Sequence, residues 1–364
     1  MKMMFYRNAR KIIIALLVLI LCAAFLASCA GMSVQTLHFF TMDTFAESTV
    51  ITKKADLGRE ANERIKEICE EIESRISRTL ETSEIYRINE YGPKNFDLSE
   101  QTAGLLETAN YMKEHTNGAF NPNLGDIIDL WGINNRDEDY IYKLPEKADF
   151  YPALEKLHSG DNGDNNVFSK FDLGAIGKGY AIDEISVYLA ETGIPNALVS
   201  FGSSVLAAGK NRAGNLWSIG IKDPANPDPY NPCGVISASD KIISVSGGYE
   251  RFIEIDGIKY CHIIDPETGY PVDNDLVCVV VVMNAQSAFH TIEQRERLKN
   301  NGAISDALST ALYVMGKDKS IDFYNRSNLD FEMVLFVKDE DLPRGYDIIA
   351  TSVMFTEVDR GLNK

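Results

Sequence analysis

Apolar residues fall at Ala61, Ile65, Ile68, Ile72 and Ile76 with charged residues between them, which is the spacing of one helical face and predicts an amphipathic helix over Ala55–Ile76. Before it, "LHFFTMDTFAESTVI" reads as two β-rich runs about a Met-Asp-Thr turn. Thr82 and Ser83 are placed to cap a short helix reaching Asn89, a further helix is expected over Ser99–His115, and "NGAFNPNLGDIIDLWGI" reads as a loop, a short helix and Trp131-Gly132. From Lys170 a strand is expected to run through a glycine-rich turn into a helix that stops at Gly193. The pattern then shortens. "ALVSFGSSVLAAG", "LWSIGI", "VISAS", "IISVSGGYERFIEIDG" and "IKYCHIID" predict brief strands joined mostly as hairpins, and the unbroken "DLVCVVVVM" predicts a central strand buried on both faces. "SAFHTIEQRERLKNNG" (Ser287–Gly302) looks like a charged, helical surface excursion. The chain closes with a helix over Ile304–Met315, a shorter one near Lys319, and strands near Met333 and Val353. Nothing repeats at a fixed period, which excludes a solenoid, and "SGDNGDNN" (Ser159–Asn166) reads as a solvated turn within one domain.

The first residues change the picture. Four positive charges precede Ile12, an apolar run reaches Ala27, and Leu26-Ala27-Ser28-Cys29 follows, the form of a bacterial lipoprotein signal. The expected organisation is a signal peptide over 1–28, a lipid on Cys29, a tether over 29–36 and one domain over 37–358, held at the cell membrane and facing outside the cytoplasm. The alternatives are an uncleaved transmembrane anchor and simple cleavage. A tether of about eight residues reaches roughly 25 Å, which keeps the domain close to its membrane.

Removing residues 1–28 leaves 53 Asp and Glu against 32 Lys and Arg, a net charge of −21 compared with −17 for the whole chain. Such a body makes nucleic acid and anionic lipid surfaces poor partners. An anionic substrate would need placed cations or a metal, because the general field is screened beyond ~8 Å. Beyond Cys22 and Cys29, the cysteines Cys69, Cys233, Cys261 and Cys278 show no zinc or CxxC spacing, which leaves both disulfides and free thiols open.

Four stretches could carry chemistry. "DLGAIGKG" (Asp172–Gly179) lacks Walker A spacing but offers bare amides at a helix start with Lys178 in the first turn, suited to phosphate. In "SDALSTALYVMG", Asp306 and Thr310 stand one turn apart on one face, two hard oxygens able to hold Mg²⁺ if a third ligand comes from elsewhere. "SGGYERF" adds a Gly-Gly turn and Arg251, whose commonest role is a surface ion pair. "CHIIDPETGYPV" places His262 before a turn that needs only its Asp, Pro and Gly to reverse the chain.

In this order, and together with "TMDT", "SEIYRIN" and "GAFNPNLGDIIDLWG", these stretches resemble the ApbE family of exported FAD:protein FMN transferases over about Leu37–Val353. The resemblance implies an α+β fold of helices around mostly antiparallel sheet. It also implies an enzyme that binds FAD with Mg²⁺, cleaves the diphosphate, and links FMN to a Thr or Ser of a partner protein with release of AMP. It makes Asp306, Thr310 and the Ala175 carbonyl the metal ligands, and it sets Met42, Trp131, Lys178, Ser246, Gly247, His262, Asp265 and Thr268 around FAD. With that chemistry, Lys178 and the turn amides are the phosphate donors and His262 the candidate base; Asp265 either shapes the flavin site or orients His262. Acceptors of this system carry an Asp-x-x-Ser/Thr-x-Ala-Thr motif; "DALSTAL" departs from it at Leu312, so the acceptor is expected to be another exported protein. Thr79 stands where many relatives have an aromatic ring, which keeps open an exported FAD pyrophosphatase, or a flavin-binding lipoprotein without catalysis.

Overall fold

A computed structural model of the chain describes residues 32–93, 96–135, 140–159, 168–226, 228, 231–249, 251–352 and 354–358. The expected signal peptide, Cys29 and the first tether residues lie outside them, as do residues 160–167, which contain most of the expected solvated turn, and Val353. No helix among the described residues is long and apolar enough to cross a membrane.

The two β-rich runs form a hairpin of β1 (Ser33–Thr41) and β2 (Thr44–Thr52), with Phe40 opposite Phe45. The strand begins at Ser33, so tether residues 33–36 are already paired. Met42 and Asp43 both adopt positive φ, 45° and 59°, as a two-residue hairpin turn demands. Helix α1 (Ala55–Ile76) buries the apolar face read from its sequence. Ser83 caps α2 (Glu84–Tyr91) and Ser99 caps α3 (Glu100–His115), each accepting a backbone N–H in the first turn. Then come α4 (Gly125–Trp131), α5 (Lys147–Ser159) and α6 (Gly177–Glu191). Five short strands follow, β3 (Asn196–Ser200), β4 (Ser204–Ala208), β5 (Trp217–Ile221), β6 (Gly234–Ala238) and β7 (Lys241–Gly247). The hairpin β8 (Phe252–Ile255) and β9 (Ile258–Cys261) precedes the central β10 (Leu276–Asn284). The excursion after it contains the six-residue helix α7 (Ile292–Arg297). Helix α8 (Asn301–Arg326) joins the two expected terminal helices across a kink at Gly316. The chain ends in β11 (Phe331–Lys338), β12 (Tyr346–Ala350) and β13 (Phe355–Glu357).

The main sheet runs β1-β2-β3-β4-β7-β10-β11-β12, antiparallel at every pairing, beside a small β13-β6-β5 sheet. Alternation along β10 decides the layering. Val279 and Val281 join the core with α1, α3, α6 and α8, whereas Val280 and Val282 pack with Trp217, Ile219 and Ile236 of the small sheet. The fold is therefore α+β: helices, main sheet, small sheet. A third cluster joins α4, α5 and the β8-β9 hairpin through Ile127, Trp131, Phe150, Ile253 and Ile264.

One expected strand is missing. Residues 170–173 pair with no strand, because their polar groups are satisfied elsewhere: Asn89 donates to the Phe171 carbonyl and accepts its N–H, and the Asp172 N–H goes to the Pro122 carbonyl. All four described cysteines are free thiols; Cys69, Cys233 and Cys278 are buried, and burial pushes Cys69 up to about 12.

Candidate active site

A cavity of about 530 Å³ opens at the end of the main sheet where the turns 42–43 and 201–203 and the end of β7 meet the start of α6. Met42, Ala175, Lys178, Ser246, Gly247, His262, Asp306 and Thr310 all line it. Stretches far apart in the chain converge here because β2, β3, β4 and β7 are successive neighbours and α6 and α8 cross beneath them.

That crossing is close. A Cβ on Gly179 would stand 2.0 Å from the Gly302 carbonyl oxygen, and one on Gly302 would stand 2.2 Å from the Gly179 carbonyl oxygen, so only glycines let the backbones meet. Neither helix has a side-chain cap of its own. Each borrows a carboxylate from the other. Asp183 of α6 accepts the N–H groups of Gly302 and Ala303 at 2.7 and 2.8 Å, and Asp306 of α8 accepts the N–H of Gly179 at 3.0 Å. Asp183 is fully enclosed, and burial drives its carboxyl well above the usual carboxylate range in spite of the two amides. The second oxygen of Asp306 accepts the hydroxyl of buried Ser204 at 3.1 Å.

The amide of Gly179, turned to Asp306, is unavailable to the carbonyl of Ala175 one turn earlier. That carbonyl has no N–H donor among the described residues and belongs to a cavity-lining residue. Thr310 follows Asp306 on the same face, its hydroxyl 3.2 Å from Ser246, which also meets Ser309 at 2.8 Å. Carboxylate, hydroxyl and carbonyl line one cavity as an all-oxygen set of the kind that could hold Mg²⁺. Among the described residues no cluster of three or more His, Cys, Asp or Glu offers a rival site for a softer metal.

His262 donates from Nδ1 to the Arg251 carbonyl at 3.0 Å. A carbonyl only accepts, so Nδ1 carries the proton and Nε2 keeps its lone pair. Burial, aided by the charges of Arg251 and Lys178 against the pull of that carbonyl, lowers its pKa to about 4. Arg251 is itself fixed by Asp43 through the carboxylate at 3.1 Å and the carbonyl at 2.7 Å, the surface ion pair its sequence context suggests. Arg78, also on the cavity wall, is taken by Asp129 at 2.8 Å and Asp172 at 3.4 Å. Lys178 reaches only the Gly174 carbonyl, at 3.4 Å, and is the lining cation that no described carboxylate neutralises.

Three expected flavin-site residues stand off the cavity wall. Trp131 is buried and donates its indole N–H to the Gly269 carbonyl at 2.8 Å. Both Asp265 oxygens are used inside their own turn, by the Glu267 N–H at 2.9 Å and the Thr268 hydroxyl at 3.1 Å. Asp265 therefore does not orient His262; the Arg251 carbonyl does. The turn is a braced wall behind the histidine, with Tyr270 packed between Trp131 and Phe150. Sequence reasoning missed Arg78, Asp183 and Ser204. Asp183 carried a signal in hindsight, an acid set among the apolar Ala181, Ile182, Ile185 and Leu189 of α6; Ser204 carried none.

The profile of the ApbE family matches residues 42–335. The FAD:protein FMN transferase of Vibrio cholerae serotype O1 is 29% identical over 285 residues, 76% of this chain and 79% of that protein. The one of Haemophilus influenzae is 26% identical over 289 residues, again 76% and 79%. Among solved structures, the flavin transferase ApbE from Vibrio cholerae aligns with a TM-score of 0.70 at 25% identity, covering 88% of this chain and 99% of that one. The ApbE protein from Thermotoga maritima aligns with a TM-score of 0.71 at 28% identity, covering 88% and 97%.

Proposed function

The chain belongs to the ApbE family, and from that premise we propose that it is an FAD:protein FMN transferase that uses Mg²⁺, modifies a Thr or Ser of an exported protein and releases AMP. The observation that carries the chemistry is His262: an imidazole held with a free Nε2 lone pair, on the wall of a cavity that also presents Asp306, Thr310 and Lys178, which no carboxylate among the described residues neutralises.

The acceptor hydroxyl gives its proton to Nε2 as its oxygen forms a bond to the FMN-side phosphorus. The bond from that phosphorus to the bridging oxygen breaks, and AMP departs with the bridging oxygen. Lys178 faces the charge that builds on the phosphoryl oxygens, whereas the turn amides expected to share that role are largely taken: the N–H groups of Gly174, Ile176, Gly177 and Gly179 go to Asp172, Leu173 and Asp306. Asp306, Thr310 and the Ala175 carbonyl would hold Mg²⁺, which supplies charge neutralisation on the diphosphate. The carboxylate of Asp306 is kept in place for this by Gly179 and Ser204.

A second reading has one observation in its favour. Thr79 lies on the cavity wall, where a short hydroxyl side chain gives little stacking surface for an isoalloxazine. Hydrolysis of FAD to FMN and AMP would then compete with transfer. Incubating the protein with FAD and Mg²⁺, with and without an acceptor bearing Asp-x-x-Thr-x-Ala-Thr, separates the readings. An acceptor heavier by one FMN with matching AMP is the expected result; AMP with an unmodified acceptor makes the chain a pyrophosphatase, and no AMP in either case leaves a flavin binder. The proposed location is the outer face of the cell membrane with a lipid on Cys29, supported by the charged start, the apolar run to Ala27 and the small residues before the cysteine.

A further inference from the structure

The register of the main sheet sorts its loops into two ends. Ser33, Thr52, Asn196, Ala208, Lys241, Asn284 and Phe331 lie at one end, because each stands at or next to a pairing with a neighbour in that row. The cavity, with its turns 42–43 and 201–203, is at the other. The chain therefore enters the domain at one end of β1 and reaches the cavity at the other, nine residues on and roughly 27 Å away.

The ends differ in charge. The entry-end loops 53–54, 192–195, 209–216, 239–240, 285–300 and 327–330 carry seven Lys and Arg (Lys53, Lys54, Lys210, Arg212, Arg295, Arg297 and Lys299) against four Asp and Glu, in a chain of net charge −17. At the cavity end, Asp43, Asp273, Asp275, Asp339, Glu340 and Asp341 stand against Arg251 and Arg344. Both ends expose apolar side chains, Phe40 and Phe45 beside the cavity-end turn 42–43 among them, but only at the entry end do they stand beside the cationic loops: Phe289 is 77% and Ile292 76% exposed on the excursion around α7, with Leu57 at 50% in the first turn of α1 and Leu216 at 45% on the loop before β5. The function proposed above uses none of these residues.

We infer that this end of the domain is a second membrane contact, in which Phe289 and Ile292 enter the headgroup layer, the surrounding lysines and arginines meet anionic lipid, and the catalytic mouth is held facing away from the bilayer. The inference rests on the lipid-anchor reading for the source of the membrane, since 31 residues, including the apolar run, precede the first described residue and lead directly into this end. The overall negative charge argues against an anionic surface for the molecule as a whole, but potentials act over a Debye length of ~8 Å. At that range the loops that would touch lipid are cationic, and the acidic ones are a strand length away. Exposed aromatic and aliphatic side chains beside cations are the pattern that interfacial contacts use. A lipidated Cys29 already keeps the chain on the membrane, so this contact sets orientation. Its consequence for the reaction is that an acceptor must present its hydroxyl about a strand length clear of the bilayer.

Tryptophan is introduced singly as Phe289→Trp and Phe45→Trp in the full chain, reconstituted in phosphatidylglycerol vesicles with and without brominated acyl chains; the unsubstituted chain supplies the background of Trp131 and Trp217. The expected result is quenching and a blue shift of the added emission at 289, none at 45, and loss of the effect at 289 on adding Lys210→Glu with Arg212→Glu. Emission at 289 indifferent to bromine, equal quenching at both positions, or a shift at 289 only when a protein acceptor is added would each overturn the inference. The mass of the amino-terminal peptide tests the anchor separately. If Cys29 carries no lipid, adding the chain to the same vesicles from solution gives the same decisive readout.

Discussion

Asp306 does two jobs through one carboxylate: it caps the start of α6 and faces the cavity, so its removal and its neutralisation have different consequences. Asp306→Ala leaves the Gly179 N–H and the Ser204 hydroxyl without their acceptor, and AMP release is expected to fall by at least about 100-fold, as when a transition-state electrostatic group is removed. Asp306→Asn retains an acceptor oxygen and the side-chain shape. Its melting temperature should stay near that of the unsubstituted protein while Mg²⁺ binding, measured by titration calorimetry, is lost. A metal affinity unchanged in Asp306→Asn would remove the carboxylate from the metal site. For His262 the pH dependence is the sharper test. A base must be unprotonated to act, and burial has lowered this imidazole to about 4, so the rate is retained as pH falls below 6.5 and is lost only on passing about 4. The expected kcat/KM profile is flat from pH 8 to about 5. An acid limb centred on the ordinary imidazole value near 6.5 would show that the working base is solvated or lies elsewhere. His262→Ala should cost about 10²- to 10⁴-fold in rate.

At the scale of elements, the site depends on a helix crossing more than on any loop. Gly179→Ala and Gly302→Ala each force α6 and α8 apart, and each is expected to destabilise the protein by about 1–3 kcal/mol, read as a lowered midpoint in urea. Once one substitution has parted the helices the other meets space already opened, so the double variant should lose less than the sum of the two. Strict additivity would mean that the two glycines do not share the contact. This crossing also marks the limit of what the sequence reveals. The face of α1 was legible because Ile65, Ile68, Ile72 and Ile76 repeat at the helical period, and Asp306 with Thr310 because they are one turn apart. Helix α5 was not read at all, since Pro152 interrupts it and only Phe150 and Leu157 are buried. The expected strand at Lys170–Leu173 failed because side-chain and loop partners, Asn89 above all, took the hydrogen bonds a neighbouring strand would have made. The bonds from Asp306 to Gly179 and Ser204 span more than a hundred residues, and no local period encodes such a meeting.

For the whole molecule the question is how an anionic dinucleotide reaches a site in an acidic protein. Of the three cations on the cavity wall among the described residues, Arg78 and Arg251 are already spent on Asp129, Asp172 and Asp43. That leaves the short-range attraction of Lys178, effective only once the ligand is inside. Outside the mouth the approaching diphosphate meets the general field of a chain with net charge −17 and the acidic turns at the cavity end of the sheet. Long-range repulsion therefore sets the encounter rate at low ionic strength, when the Debye length is ~30 Å, and is largely removed at physiological salt, when it is ~8 Å. The rate of FAD association, followed by stopped-flow flavin fluorescence at fixed Mg²⁺, is expected to rise as a monovalent salt is raised from about 10 mM toward 150 mM. Replacing acids remote from the site, such as Asp339→Asn with Asp341→Asn, should flatten that rise without altering the rate of AMP release at saturating FAD. A rate that falls with salt would mean that Lys178 and the metal outweigh the rest of the surface at long range.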